Sequence, residues 1–218
     1  NAGQAKSSTE LVTLSERQLA IVPIAAFNAT GDLDGLKPAL EAGLHSGLTI
    51  NEIKEVLSHQ YAYVGFPRSL NGLSVFKTLL EERQQAGLDD PVGKEASRRP
   101  RSTDYYQLGT ETLVYLTRGP ASRPMFEFAP AMDHALKSHL FGYLFSRDNL
   151  SPVDRELTTI ATLAAVGNVN SQLISHLKVA GNLGVSRQQL QRVIATLDRK
   201  VDPSIAKNAA LQLATLDK

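Results

Sequence analysis

The 218-residue chain has no cysteine, no tryptophan and only two methionines. The missing cysteine excludes disulfides, thiolate zinc sites, iron–sulfur clusters and every mechanism built on a cysteine nucleophile or redox thiol. Charge of one sign is lacking as well: 23 Lys and Arg stand against 22 Asp and Glu, a formal net charge of +1. Such a balance projects no broad positive field and argues against nucleic-acid binding through phosphate neutralisation. No apolar run approaches the roughly 20 residues that a membrane-spanning helix needs. The rest, 42% hydrophobic and 21% charged, describes a globular chain able to bury one large core or two small ones.

The chain opens Asn1-Ala2-Gly3-Gln4 rather than on methionine, as a processed export precursor or a chain with a short cloning scar does. Residues up to about Ser8 are set outside the fold, and the compartment is open between cytoplasm and periplasm. Beyond them the hydrophobic period is helical. Val153, Leu157, Ile160, Ala161 and Ala164 follow the spacing of one buried helix face, and strand alternation is missing. Ser151-Pro152 reads as a helix start and Thr49 with Glu52 as a capping box, while Gly47, Gly87, Gly167 and Gly184 end helices. The pattern predicts an all-α protein with helices near 14–29, 34–46, 50–64, 67–86, 104–117, 126–145, 152–166, 170–183, 187–198 and 203–216.

The most polar, breaker-rich stretch, Leu88 to Thr103, reads as a connecting segment with Arg98, Arg99 and Arg101 in solvent. On either side the sequence echoes itself. The interval from Arg17 to Gly47 matches that from Arg155 to Gly184 to within one residue, the signature of a duplicated helical unit. The expected organisation is a first repeat over 9–87, a linker with one helix over 88–125 and a second repeat over 126–218.

Two stretches carry a further resemblance. The run RELTTIATLAAVGN (155–168) followed by QLISHLKVAGNLGVS (172–186), together with Ala39 to Pro67 in the first half, resembles the carboxymuconolactone decarboxylase family, relatives of the alkyl hydroperoxidase D-like proteins. The resemblance implies two tandem helical repeats paired around a small cavity, and a homo-oligomer, here a trimer whose six repeats mimic a hexamer of single-repeat chains. In the family's peroxidase branch a Glu, a Cys-x-x-Cys pair and a His relay protons to a redox thiol. Here the His matches His176, but Val169 and Gln172 stand at the two cysteine positions, so that mechanism cannot run. The decarboxylase branch needs neither cysteine nor cofactor: a general acid protonates the enolate left when carbon dioxide departs from a small lactone acid. This implies a cofactor-independent lyase acting on a small carboxylated or lactone substrate, with no metal. A peroxidase activity known by family only and a non-catalytic small-molecule-binding protein are the alternatives.

The residues that match are His176 and Glu156 as the acid/base pair, with Arg147, Gln172, His59, Tyr63 and His139 towards the substrate. His176 sits at the edge of the stripe Leu173, Leu177, Ala180, where a half-buried imidazole can titrate near neutrality; a satisfied core-edge histidine has the same pattern. Glu156 borders the core face, where desolvation raises a carboxylate's pKa, unless Arg155 beside it forms a structural pair. Arg147 offers a planar fork to a substrate carboxylate. Glu55, His59 and Tyr63 recur on one helix face before Gly65-Phe66-Pro67, fitting either a substrate wall or a subunit contact. His134 and His139, five apart, cannot share a face as a metal pair; His139 can face the cavity, and His134 and His45 are expected in solvent. The halves differ: Ala39 stands at the first-half copy of His176, Gln18 at the copy of Glu156, and Thr196 at the second-half copy of His59. One composite site per chain follows.

Overall fold

The computed structural model describes residues 11–218; the segment up to Ser8 set aside above lies outside the described residues. Ser15 starts α1 (Glu16–Thr30) through a capping box with Gln18, and Asp32 caps α2 (Leu33–His45). The capping box read from Thr49 and Glu52 forms: the Thr49 hydroxyl accepts from the Glu52 amide at 3.1 Å, and the Glu52 carboxylate accepts from the Thr49 amide at 2.9 Å. It opens α3 (Ile50–His59), followed by α4 (Tyr61–Val64) and α5 (Phe66–Gln85). After an irregular strap come α6 (Tyr105–Thr117), α7 (Pro124–Phe128), α8 (Pro130–His134) and a π-helix (Ala135–Leu144). The chain then forms α9 (Pro152–Val166), α10 (Asn170–Asn182), α11 (Arg187–Lys200) and α12 (Pro203–Ala214). The fold is all-α, with no strand among the described residues beyond one isolated bridge between Val12 and Val185.

Two of the expected helices differ in the structure. The helix expected over 50–64 is interrupted at Gln60, whose side-chain amide turns into the core to donate to the Ala25 carbonyl at 2.7 Å and to Thr162 at 2.8 Å. The helix expected over 126–145 is three pieces. Pro130 pushes Ala129 out of the helical region, to φ −127° and ψ 81°, and the chain then widens into the π-helix. That stretch crosses α6 at backbone contact. A Cβ on Gly109 would lie 1.6 Å from the Lys137 carbonyl oxygen, and one on Gly142 would lie 2.2 Å from that of Tyr105, so only glycine permits the crossing.

The segment read as a linker is strapped down. The carbonyls of Pro91 and Val92 accept from the Ile50 and Asn51 amides at 2.9 and 2.8 Å, satisfying first-turn donors of α3 that would otherwise lack partners. Arg98, Arg99 and Arg101 are exposed, as expected.

At the centre α1 packs along α9. Ile21, Val22, Ile24 and Ala25 meet Leu157, Ile160, Ala161 and Ala164 in the main core, where each fully buried Ile or Leu stabilises by about 1.5–3 kcal/mol relative to exposure. A smaller core joins α6 and the π-helix to α10 through Leu113, Leu116, Phe141, Leu144 and Val179. α9 is buried on its polar side too: Arg155, Glu156, Thr158, Thr159 and Thr162 have no exposed surface. The threonines tolerate this because each hydroxyl donates to the carbonyl four residues earlier, at 2.6–2.9 Å.

Candidate active site

Neighbouring residues on a helix point about 100° apart, so Arg155 and Glu156 leave α9 in different directions. Arg155 turns towards α3. Its guanidinium donates to Glu55 Oε1 at 2.8 Å, to the Arg147 carbonyl at 2.8 Å and to His59 at 3.1 Å. Glu55 also holds the fork of Arg147, at 2.8 and 3.1 Å, and accepts a hydrogen bond from the Asn149 side-chain amide at 3.2 Å. Burial works against charge on Glu55, but the hydrogen bonds from Arg147 and Arg155 outweigh it and keep the carboxyl below its ordinary value. Glu55 thus fills the fork that the sequence reading gave to a substrate carboxylate.

His59 has no exposed surface, and its proton can be assigned from the network. The Thr159 hydroxyl gives its hydrogen to the Arg155 carbonyl at 2.9 Å, so its oxygen accepts from His59 Nε2–H at 3.0 Å. Nδ1 is then the acceptor for Arg155. Burial, and then the charge of Arg155, push the His59 pKa well below the ordinary histidine value. His59 is a neutral strut between α3 and α9.

Glu156 turns the other way, towards α10. Its Oε2 lies 2.7 Å from His176 Nδ1. The carboxylate is buried, whereas 13% of the His176 side chain is exposed. A carboxylate here fixes the proton of His176 on Nδ1 and leaves Nε2 to accept or deliver one. The ring of Tyr63 meets that of His176 edge to face at 5.8 Å and lies 5.5 Å from His59. Burial, reinforced by the charge of Glu156, raises the Tyr63 phenol above its ordinary value, so the hydroxyl keeps its proton. Both the Tyr63 hydroxyl and Glu156 Oε1 are buried without a hydrogen-bond partner. The two atoms border the dyad, one a donor and the other an acceptor.

The other expected residues are placed apart. Gln172 is exposed one turn before His176, and its side chain bonds Ser171. His139 is exposed on the π-helix, where it bonds the Tyr61 hydroxyl and stacks on Tyr143. His45 and His134 are exposed, as expected. Thr159 and Thr162 escaped the sequence reading. Their signal is a polar face, Arg155, Thr159 and Thr162, that continues along α9 beside its apolar stripe.

No curated protein matches the chain at a significant level. Among solved structures it is similar to a protein from Burkholderia xenovorans, described provisionally as a gamma-carboxymuconolactone decarboxylase subunit. The two align over 94% of this chain and 79% of the other, with a TM-score of 0.55 and 22% identity, which establishes a shared fold. Residues 130–215, which include Glu156, His176 and the helices that carry them, match the carboxymuconolactone decarboxylase family. That stretch, cysteine-less and set in an all-α chain, is similar to the carboxymuconolactone decarboxylase family.

Proposed function

We propose that the protein is a cofactor-independent lyase that removes carbon dioxide from a small carboxylated or lactone substrate, with the Glu156–His176 dyad as its acid/base. The observation that carries this reading is the 2.7 Å bond between buried Glu156 and half-buried His176, both within the stretch that matches the family, beside two polar atoms without a hydrogen-bond partner, Glu156 Oε1 and the Tyr63 hydroxyl. Loss of carbon dioxide leaves an electron pair that the substrate's conjugated carbonyl holds as an enolate. Protonated His176 delivers a proton from Nε2 to carbon, Glu156 stabilises the imidazolium while it is charged, and solvent returns the proton. The neutral Tyr63 hydroxyl donates to the enolate oxygen, whose developing charge it meets without reorganisation. The Glu55–Arg155–His59 network holds α3 against α9 and so fixes Tyr63 over the dyad.

The test is turnover of wild type and His176→Ala on a panel of unsaturated lactone acids and β-keto acids, followed by NMR or ultraviolet absorbance. Turnover that disappears in a folded variant supports the reading. No turnover by wild type, with equal ligand binding by both proteins, makes the protein a non-catalytic binder.

The homo-oligomer, a trimer by the repeat reading, is part of the same proposal. Met125, Phe128 and Met132 on α7 and α8 are 60%, 84% and 52% exposed, apolar surface suited to a subunit contact. Light scattering on the eluting protein reads the subunit number directly.

A further inference from the structure

A concavity lies away from the dyad, between α1, α2 and α11, with a volume of about 600 Å³. Its walls are apolar, with Leu19, Pro23, Phe27, Pro38 and Ala39 among them. Its rim is cationic. Arg192, Arg199 and Lys200 project from α11, and Glu16 is the one carboxylate that lines it. Glu16 reaches Arg192 only at 3.7 Å and in solvent, and among the described residues no carboxylate pairs with Arg199 or Lys200. An apolar cup with surplus positive charge at its mouth is complementary to an amphipathic anion.

The place of this cup in the fold says what it cannot do. Ala39 and Thr196 line it, and these are the positions that correspond by internal spacing to His176 and His59. The elements correspond as well: α1, α2 and α11 surround the cup as α9, α10 and α3 surround the dyad. Where the dyad has an imidazole on a carboxylate, the cup has a methyl group. The small side chain leaves that part of the wall open, and no imidazole–carboxylate pair remains in it.

We propose that this cup is a binding site, without catalysis, for a small amphipathic carboxylate: an apolar chain or ring seated on Phe27, Pro38 and Ala39, with its carboxylate held by Arg199 and Lys200. The volume suits a ligand of drug-like size or smaller. The site is independent of the decarboxylase reading, since none of its residues belongs to the dyad.

The test is calorimetric or NMR titration of the full chain with octanoate and with octanol, its uncharged match. Octanoate binds one site per chain at least about tenfold more tightly than octanol, a factor of one charged contact. The double variant Arg199→Glu/Lys200→Glu weakens octanoate by at least about tenfold and leaves octanol unchanged. Ala42→Trp, an exposed position on the cup wall, weakens both ligands, and His176→Ala weakens neither. Three results overturn the proposal: no octanoate binding at millimolar concentration, octanoate binding indifferent to both cup variants, or a change of oligomeric state in Ala42→Trp, which makes the cup a contact between copies of the chain. A failed decarboxylation assay leaves these titrations untouched, so the two readings fail separately.

Discussion

Arg155 is bonded at 2.8 Å to Glu55, 100 residues away in sequence on α3, and not to Glu156, its neighbour in sequence. With a buried guanidinium on one side and a buried carboxylate on the other, each finds its partner on a different helix. Arg155 ties α9 to α3, and Glu156 ties α9 to α10. Separating the two charges in this way leaves Glu156 to His176 alone.

The Arg155–Glu55 pair predicts a stability effect. Glu55→Ala strands a guanidinium that has no exposed surface and lowers unfolding stability by about 3–5 kcal/mol. Urea denaturation reads it. A loss below about 1 kcal/mol would show that Arg155 finds another partner at little cost.

His59 predicts a pH effect of definite sign. Its folded pKa lies well below the ordinary 6.5, so above that value both states are neutral at this residue and its contribution is complete. As pH falls below about 6.5, the unfolded chain takes a proton that the folded chain refuses, and stability is lost at up to about 1.4 kcal/mol per pH unit. Comparison of wild type with His59→Gln between pH 7 and pH 5 isolates this slope from the other four histidines. Parallel curves would mean that His59 takes up its proton as readily in the fold as in the unfolded chain.

Much of the fold was legible because its signals are local. The Thr49–Glu52 capping box, the glycine stops and the apolar stripe of α9 each act within a few residues, and the structure contains them. The π-helix was not legible: it depends on the contact of Gly142 and Gly109 with backbone distant in sequence. The dyad residues were named from the resemblance, and Glu156 and His176 meet in the structure. Their surroundings were not legible. Periodicity sends Arg155, Thr159 and Thr162 outward as a polar face, and only the matching polar face of α3, Glu55 and His59, explains their burial. For the same reason the fork of Arg147 could be read as open to substrate, since nothing local to 146–150 announces Glu55.

The Tyr63 hydroxyl separates structural from functional roles. Because it is buried without a partner, Tyr63→Phe leaves stability unchanged or raises it by up to about 1 kcal/mol. If the hydroxyl meets substrate, the same variant lowers kcat/KM by at least about tenfold. A variant that loses stability and retains full activity contradicts that role.

The crossing of α6 over the π-helix rests on two glycines. Gly109→Ala places a methyl group 1.6 Å from the Lys137 carbonyl oxygen, and the helices must separate, at a cost of about 1–3 kcal/mol or more. Thermal unfolding measures it. An unchanged midpoint would show that the satellite core of Leu113, Phe141 and Val179 absorbs the shift.

The most direct test of the account is the rate of carbon dioxide release by wild type and by Glu156→Gln, from whichever lactone or β-keto acid of the panel wild type turns over fastest. Glutamine keeps the size of the side chain but cannot stabilise the imidazolium. The account predicts a fall in kcat of about 10²–10⁴-fold with KM changed by less than about threefold. Release by Glu156→Gln at the wild-type rate would contradict it, and would leave the Glu156–His176 bond a structural pair.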